Sequence, residues 1–352
     1  ASAAERWWEF AEDVLQPPLH IPAHPILMGT FGMRAMLSSD RFVRRFKIAR
    51  TRALFAGLVG HGLVGFNQLA SAAVGLIFAV TGPAVGWPVA KGGAQAIPNA
   101  LMRRLQQLGG TVHAGHSIRS LDELDTERAI TLCDLTPRGL LAIAGSRLAP
   151  AYRKTLQNFR MGPGAFKIDY ALSQPLPWTA PECHRAMSVH VGGTYEQIAA
   201  AEYAVSKGRH APQPFLIVTQ PSLYDATRAP AGKHTAWAYC HVPNGATEDR
   251  TQSMEDQIER FAPGFRDCVL ARRVFAPADL ERMDANLIGG DVNGGAFDVM
   301  QLVRRPTLRA YRTGTPRLYL CSSSTPPGGG VHGMCGYNAA QAALQDLGIR
   351  TR

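Results

Sequence analysis

The most restrictive segment of this chain lies near its C-terminal end. Residues 317–322, Arg-Leu-Tyr-Leu-Cys-Ser, lead through Ser323, Ser324, Thr325, Pro326 and Pro327 into three consecutive glycines, followed by Val331, His332, Gly333 and Met334. The apolar run at 318–322 predicts a buried strand, and the pattern from 336 to 347 predicts a helix. Glycines between them let the backbone approach a ligand closely. A helix start offers unpaired N–H groups and the positive end of the helix dipole, which suit a phosphate or an electron-rich ring oxygen. Glycines alone would describe a plain loop. It is strand, small hydroxyl residues, glycines and helix in this order that mark a ligand site. Its candidate residues are Ser322, Ser323, Thr325, Gly328, Gly329, Gly330, Val331, His332, Gly333 and Met334.

The rest of the chain gives that segment a mixed setting. Residues 1–80 read mostly helical, with Pro17, Pro18, Pro22 and Pro25 breaking the first helix. Residues 54–80 are apolar, but His61, Asn67 and Gln68 interrupt them, so buried helices are expected rather than a membrane span. A helix to Leu108, with Ile97, Leu101, Leu105 and Leu108 as its stripe, ends at Gly109 and Gly110. Short strands are expected at 111–113, 116–121 and 129–134. Further strands are expected at 164–172, 186–191, 214–220 and 234–242, with helices at 194–207 and 251–261 between them.

Composition narrows the chemistry. Hydrophobic residues make up 46% and charged residues 18%, which is globular and not disordered. The six cysteines form no CxxC pair, and no HExxH or clustered His/Asp set appears, so no metal site is expected. There is no GxSxG elbow for a serine hydrolase. The net charge of +10 has one concentration, at Arg41, Arg44, Arg45, Lys47, Arg50 and Arg52. No nucleic-acid-binding signature surrounds it. A solvated helix face explains it, and the alternative is a peripheral membrane contact through residues 41–52. With no secretory signal visible, a cytoplasmic location is the expectation.

The C-terminal segment resembles the FAD signature of the phytoene desaturase family, within the flavin amine oxidase superfamily. Leu318, Tyr319, Leu320, Thr325, Pro327, Gly328, Gly330, Val331 and Gly333 match that family's pattern in order and spacing. The resemblance implies that Ser323 takes a ribityl-contacting position and that Val331, His332, Gly333 and Met334 face the flavin ring. Gly92 and Gly93, with the helix after them, resemble the family's Gly-Gly turn, and Ile118 falls where the family touches adenine. Asp225, Ala229, Pro230 and Gly232, and the pair Arg305 and Pro306, also match.

The fold so implied is mixed α/β (α+β). An N-terminally incomplete, Rossmann-like FAD-binding domain (residues 86–150 and 304–352) is interleaved with a substrate domain. That domain has a helical part at 1–85 and a mixed-sheet part at 151–303. The family's N-terminal GxGxxG unit is not found. The one formal match, Gly60 to Gly65, follows a helical pattern and has no acidic residue at the right distance, so it reads as a close helix contact. The chain also opens inside a helical pattern at Ala1. A fragment is therefore expected, or a second chain that supplies the ADP-binding half.

The implied activity is FAD-dependent oxidation or saturation of a C–C bond in an apolar, isoprenoid- or lipid-like substrate. A non-catalytic interaction protein that kept the fold, or a flavin amine oxidase, are the alternatives. His332 is the candidate catalytic residue. Tyr239 and His241, on one face of a predicted strand, are candidate pocket residues.

Overall fold

A computed structural model describes residues 3–124 and 128–349. Its seven strands form two sheets. In the smaller, β1 (Thr131–Cys133) runs parallel to β7 (Leu318–Leu320), with Thr131 opposite Leu318 and Cys133 opposite Leu320. A parallel pair of this kind needs cover on both faces, and side chains alternate between them. Leu318 and Leu320 pack with Leu140, Tyr152 and Leu156 of the helices Pro137–Ala144 and Pro150–Gln157. Tyr319 turns the other way, onto Ala339, Ala342 and Ala343 of the helix Met334–Asp346. Proline supplies the first residue of both covering helices, and the Thr136 hydroxyl accepts the Gly139 N–H at the start of the first.

The larger sheet is antiparallel, in the order β3 (Ser188–Val191), β4 (Leu216–Thr219), β5 (His234–Val242), β2 (Gly164–Leu172), β6 (Val269–Phe275). The strands β2 and β5 pair along nine residues each, from Gly164 opposite Val242 to Leu172 opposite His234. One face, carrying Phe166, Ile168, Tyr170, Ala238 and Cys240, is closed by Met254 and Ile258 of the helix Thr251–Phe261. Against the other face lie the helices Ala49–Gly60 and Tyr195–Ser206, through Phe55, Val59, Ile198 and Ala201. The helix Ala72–Val85 docks outside the first of these at Gly75. A Cβ there would stand 2.6 Å from the Val59 side chain, so only glycine permits the approach.

Several sequence expectations change. Residues 111–120 form no strand, and Leu121–Glu123 is a 3₁₀ turn. An extended segment needs a ladder partner, and among the described residues none stands beside 111–120. Strand β6 escaped notice because Arg272 and Arg273 break its apolar pattern. It is an edge strand, where charge is tolerated and discourages further pairing. The segment 54–80 is only half buried. The helix Ala72–Val85 buries just Ala72 and Gly75, because its contact with the rest of the fold is a narrow stripe. The glycines from 60 to 65 are close contacts, as expected: Gly60 faces the Phe215 ring and Gly62 the Val74 side chain.

A group of buried polar side chains joins the helical layer to the sheet. His61, just past the end of the helix Ala49–Gly60, places Nε2 2.9 Å from Nε2 of His190 on β3. At this distance one imidazole donates and the other accepts, so the pair is neutral. Burial, with His190 and His241 nearby, lowers the His61 pKa to about 3, and burial lowers that of His190 to about 4. In the unfolded chain both rings titrate near 6.5. Acid therefore protonates the unfolded chain first. The pair's contribution is complete above about pH 6.5 and declines as pH falls toward 4. Urea midpoints measured at pH 7.5 and 5 should fall for the native chain and fall less for His61→Gln. Equal falls in both would remove the pair as the cause.

Candidate functional site

The C-terminal loop lies at the carboxyl end of β7, where parallel strands open onto ligands in α/β folds. With residues from 284–294 it encloses a cavity of about 430 Å³, whose lining includes Asp134, Asn286, Asp291, Ser323, His332 and Gly336. The helix Met334–Asp346 points its start at this cavity. The Met334 N–H donates to Nδ1 of His332 at 3.0 Å. Among the described residues, the N–H groups of Cys335 and Gly336 have no hydrogen-bond acceptor, as is usual in the first turn of a helix.

A buried arginine shapes the loop. The Arg305 guanidinium is wholly enclosed. It donates through Nε to the Ser323 carbonyl at 2.9 Å, and through its terminal nitrogens to Asn293 O at 2.7 Å and Ala296 O at 3.2 Å. The rings of Phe159 and Phe297 flank it, 5.8 and 5.0 Å from Cζ. Burial lowers its pKa to about 10, partly offset by the Asp291 carboxylate, and it stays a cation. Asp291 is enclosed too. Its Oδ2 accepts N–H bonds from Gly162 at 2.6 Å and Gly295 at 2.8 Å, and its Oδ1 accepts that of Asn293 at 2.7 Å. Burial pushes its pKa up, against the pull of those N–H bonds and of Arg305.

The hydroxyl side chains of the loop face inward. The Ser322 hydroxyl donates to Leu135 O at 2.6 Å, that of Ser324 to Gly294 O at 2.7 Å, and that of Thr325 to Ser322 O at 2.7 Å. Thr325 is fully buried behind the loop. Gly329 packs on Asn293, where a Cβ would meet backbone at 2.9 Å, while Gly333 faces open space. Val331 is 91% exposed. His332 also hydrogen-bonds to the Gly328 backbone, and burial lowers its pKa against the pull of that bond, which favours the neutral ring. Ser322, Ser323, Gly328, Gly330, His332 and Gly333 thus line the cavity, and Thr325, Gly329, Val331 and Met334 do not.

Gly92, Gly93 and Ile118 lie apart from it. Gly92 N–H donates to Asp225 Oδ2 at 2.8 Å and its carbonyl accepts from Arg228, so this turn is tied to the segment that resembled the family at 225–232. Ile118 sits in the irregular stretch 111–120. Tyr239 packs against Ala165, Phe275 and Leu280 and toward the helical layer, and it is not among the residues that line the cavity. His241 turns into the helical layer, its Nδ1 2.8 Å from Glu202, with both side chains buried.

Sequence reasoning missed Asp134, Asn286 and Asp291. Asn286 bridges the two parts of the fold: its Oδ1 accepts the Thr136 N–H at 2.9 Å and its Nδ2 donates to Asp134 O at 3.1 Å. The neighbouring Asp134 carboxyl has its pKa raised by burial and by Asp284. The only sequence signal is the density of Asp, Asn and Gly from 284 to 295, which marks a tightly turned loop.

Because four loop carbonyls, those of Asn293, Gly295, Ala296 and Ser323, accept from one guanidinium, Arg305→Lys should cost roughly 3–5 kcal/mol of stability. Urea denaturation measures this. A loss below about 1 kcal/mol would show that the loops hold without it.

The chain is similar to known proteins in sequence and in fold. No family profile matches the chain. It is 30% identical over 248 residues to the rat (Rattus norvegicus) pyridine nucleotide-disulfide oxidoreductase domain-containing protein 2, covering 66% of this chain and 38% of that protein. It is 25% identical over 291 residues to the lycopene-forming phytoene desaturase of Pseudescherichia vulneris, covering 72% of this chain and 55% of that one. The chain thus spans between a third and just over half of the length of these relatives. Its fold is that of an oxidoreductase from Methanosarcina mazei, with a TM-score of 0.58 at 14% identity over 94% of this chain and 74% of that one. Putrescine oxidase shares it with a TM-score of 0.54 at 13% identity over 99% and 75%. Similarity in sequence makes the chain a member of the phytoene desaturase-like oxidoreductases, and its fold is the one that these solved oxidoreductases share.

Proposed function

We propose that these residues form the ribityl- and ring-facing half of an FAD site in an oxidoreductase that oxidises or saturates a C–C bond of an apolar substrate. The observation that carries this reading is the open glycine wall beside the start of the helix Met334–Asp346. There Gly333 leaves free space, and the N–H groups of Cys335 and Gly336 have no protein acceptor. Bound flavin would supply a two-electron acceptor. The chain itself would contribute backbone donors to electron-rich atoms of the ligand, with the neutral His332 ring lining the cavity beside them. Leu287 lines the cavity and would help to keep water from an apolar substrate. The Pseudescherichia relative is by name a phytoene desaturase, which supports an isoprenoid- or lipid-like substrate.

The ADP-binding half would come from polypeptide outside these 352 residues, either contiguous with them or a second chain. Three surfaces support that division. The strand β1 has a partner on one side only, and Leu132 on it is exposed. The helix Ala96–Gln107 buries none of its residues, so its stripe of Ile97, Leu101 and Leu105 is bare. Residues 111–120, including Ile118, await a strand to pair with.

Flavin absorbance tests the proposal. The 352 residues alone should retain little flavin, and co-expression with a strand–GxGxxG–helix unit of a relative should raise occupancy at least tenfold. Gly330→Val, at a residue held at a φ of +146°, should abolish that gain. Stoichiometric flavin on the chain alone would overturn the divided site. Unchanged flavin in the Gly330→Val complex would overturn the site itself.

A further inference from the structure

The charge of this protein is distributed unevenly. Residues 41–121 hold ten of the 37 Lys and Arg and none of the 27 Asp and Glu. The rest of the chain is balanced at 27 of each sign, so the whole net charge of +10 belongs to this one acid-free stretch.

Half of those cations are gathered in ten residues, at Arg41, Arg44, Arg45, Lys47 and Arg50. All five are exposed. Arg52 is engaged by Glu196, but Arg41, Arg44, Lys47 and Arg50 have no carboxylate partner among the described residues. Arg45 lies over the Phe42 ring, 5.4 Å from its centroid. Phe42 and Val43, between the cations, are buried with Phe55 in the helical core. They fix the segment to the body of the protein, so the cations are displayed on a rigid ridge. The carboxylate next to the ridge, Asp40, is taken up by the Tyr195 hydroxyl at 2.8 Å.

The ridge also carries bare apolar side chains. Ile48, the residue before the helix Ala49–Gly60, is 66% exposed, and Leu54 on that helix is 64% exposed. Nearby chain adds more. Met36 and Leu69 are exposed, and the segments bearing them are joined by the Ala70 N–H to Met36 O bond at 3.2 Å. Exposed cations around exposed aliphatic side chains match the two parts of a lipid surface, anionic headgroups and the acyl boundary below them. A nucleic acid would use the cations and leave Ile48 and Leu54 in water. No helix among the described residues is long and apolar enough to cross a membrane, so the contact would lie on the surface.

We propose that residues 41–54 are a docking surface for an anionic lipid bilayer, in which Arg41, Arg44, Arg45, Lys47 and Arg50 meet headgroups and Ile48 and Leu54 insert between them. This surface is separate from the flavin cavity and from the bare stripe of the helix Ala96–Gln107, and the proposal does not depend on flavin.

Flotation of the 352-residue chain with vesicles tests it. The chain should float with phosphatidylcholine vesicles containing about 30% phosphatidylglycerol and not with phosphatidylcholine alone. Raising salt from about 0.1 to about 0.5 M should weaken binding at least tenfold. Each neutralised cation should cost about fivefold, so Arg44→Gln, Arg45→Gln and Lys47→Gln combined should lose about a hundredfold. Ile48→Ser should lose several-fold while leaving the charge unchanged. Arg103→Gln with Arg104→Gln, on the helix assigned to the other half, should bind as the native chain does. Equal flotation with neutral vesicles, an unaffected triple variant, loss in the Arg103/Arg104 variant, or tighter binding to a single-stranded RNA would each overturn the proposal. Should the triple variant fail to fold, the Ile48→Ser and salt measurements still decide.

Discussion

The guanidinium of Arg305 is the contact on which the site depends. A cation taken out of water costs several kcal/mol unless its donors are all met. Here carbonyls of Asn293, Ala296 and Ser323 meet them, two aromatic rings flank the plane, and Asp291 lies close enough to offset the charge. The same contacts join loops from both parts of the chain. Residues 291–296 follow the antiparallel sheet, and Ser323 follows the parallel pair. The cavity is the gap that remains when these loops are held at a fixed separation.

This arrangement determines how a ligand would be recognised. The loop hydroxyls of Ser322, Ser324 and Thr325 are spent on carbonyls of Leu135, Gly294 and Ser322. They set the path of the backbone and leave it to the peptide groups to face the cavity. Recognition through N–H groups and open glycine surface depends on the shape of the chain more than on side-chain identity. Sequences can therefore diverge to the level seen among the relatives while the loop keeps its form.

Much of the fold was legible where local pattern and final environment agree. Strands at 164–172 and 234–242 and the helix at 251–261 matched residue for residue, because each has one clearly buried face. The Leu318–Leu320 strand and the helix after the glycines were legible for the same reason. Legibility failed where a long-range partner decides. Residues 111–120 have strand-like composition and no strand beside them. Arg272 and Arg273 break the pattern of β6 because an edge strand may bear charge. In the site, the glycine loop could be read directly, since glycine runs restrict the backbone locally. Asp291 and Asn286 could not, because their partners Gly162 and Thr136 are more than a hundred residues away. His241 shares a strand face with Tyr239, and the packing of both against the helical layer, His241 through Glu202, takes them away from the cavity.

The parallel pair has a kinetic side as well. The antiparallel sheet pairs residues at most 108 apart, Lys167 opposite Phe275, whereas Ser322 at the end of β7 meets Leu135 just past β1 across 187 residues. Contacts of such separation carry a large loop-closure entropy until the intervening chain is compact. The pairing of β1 with β7 is then a late event, which follows collapse of the sheet between them. The glycine loop that follows β7 therefore reaches its final place only after the intervening chain has become compact.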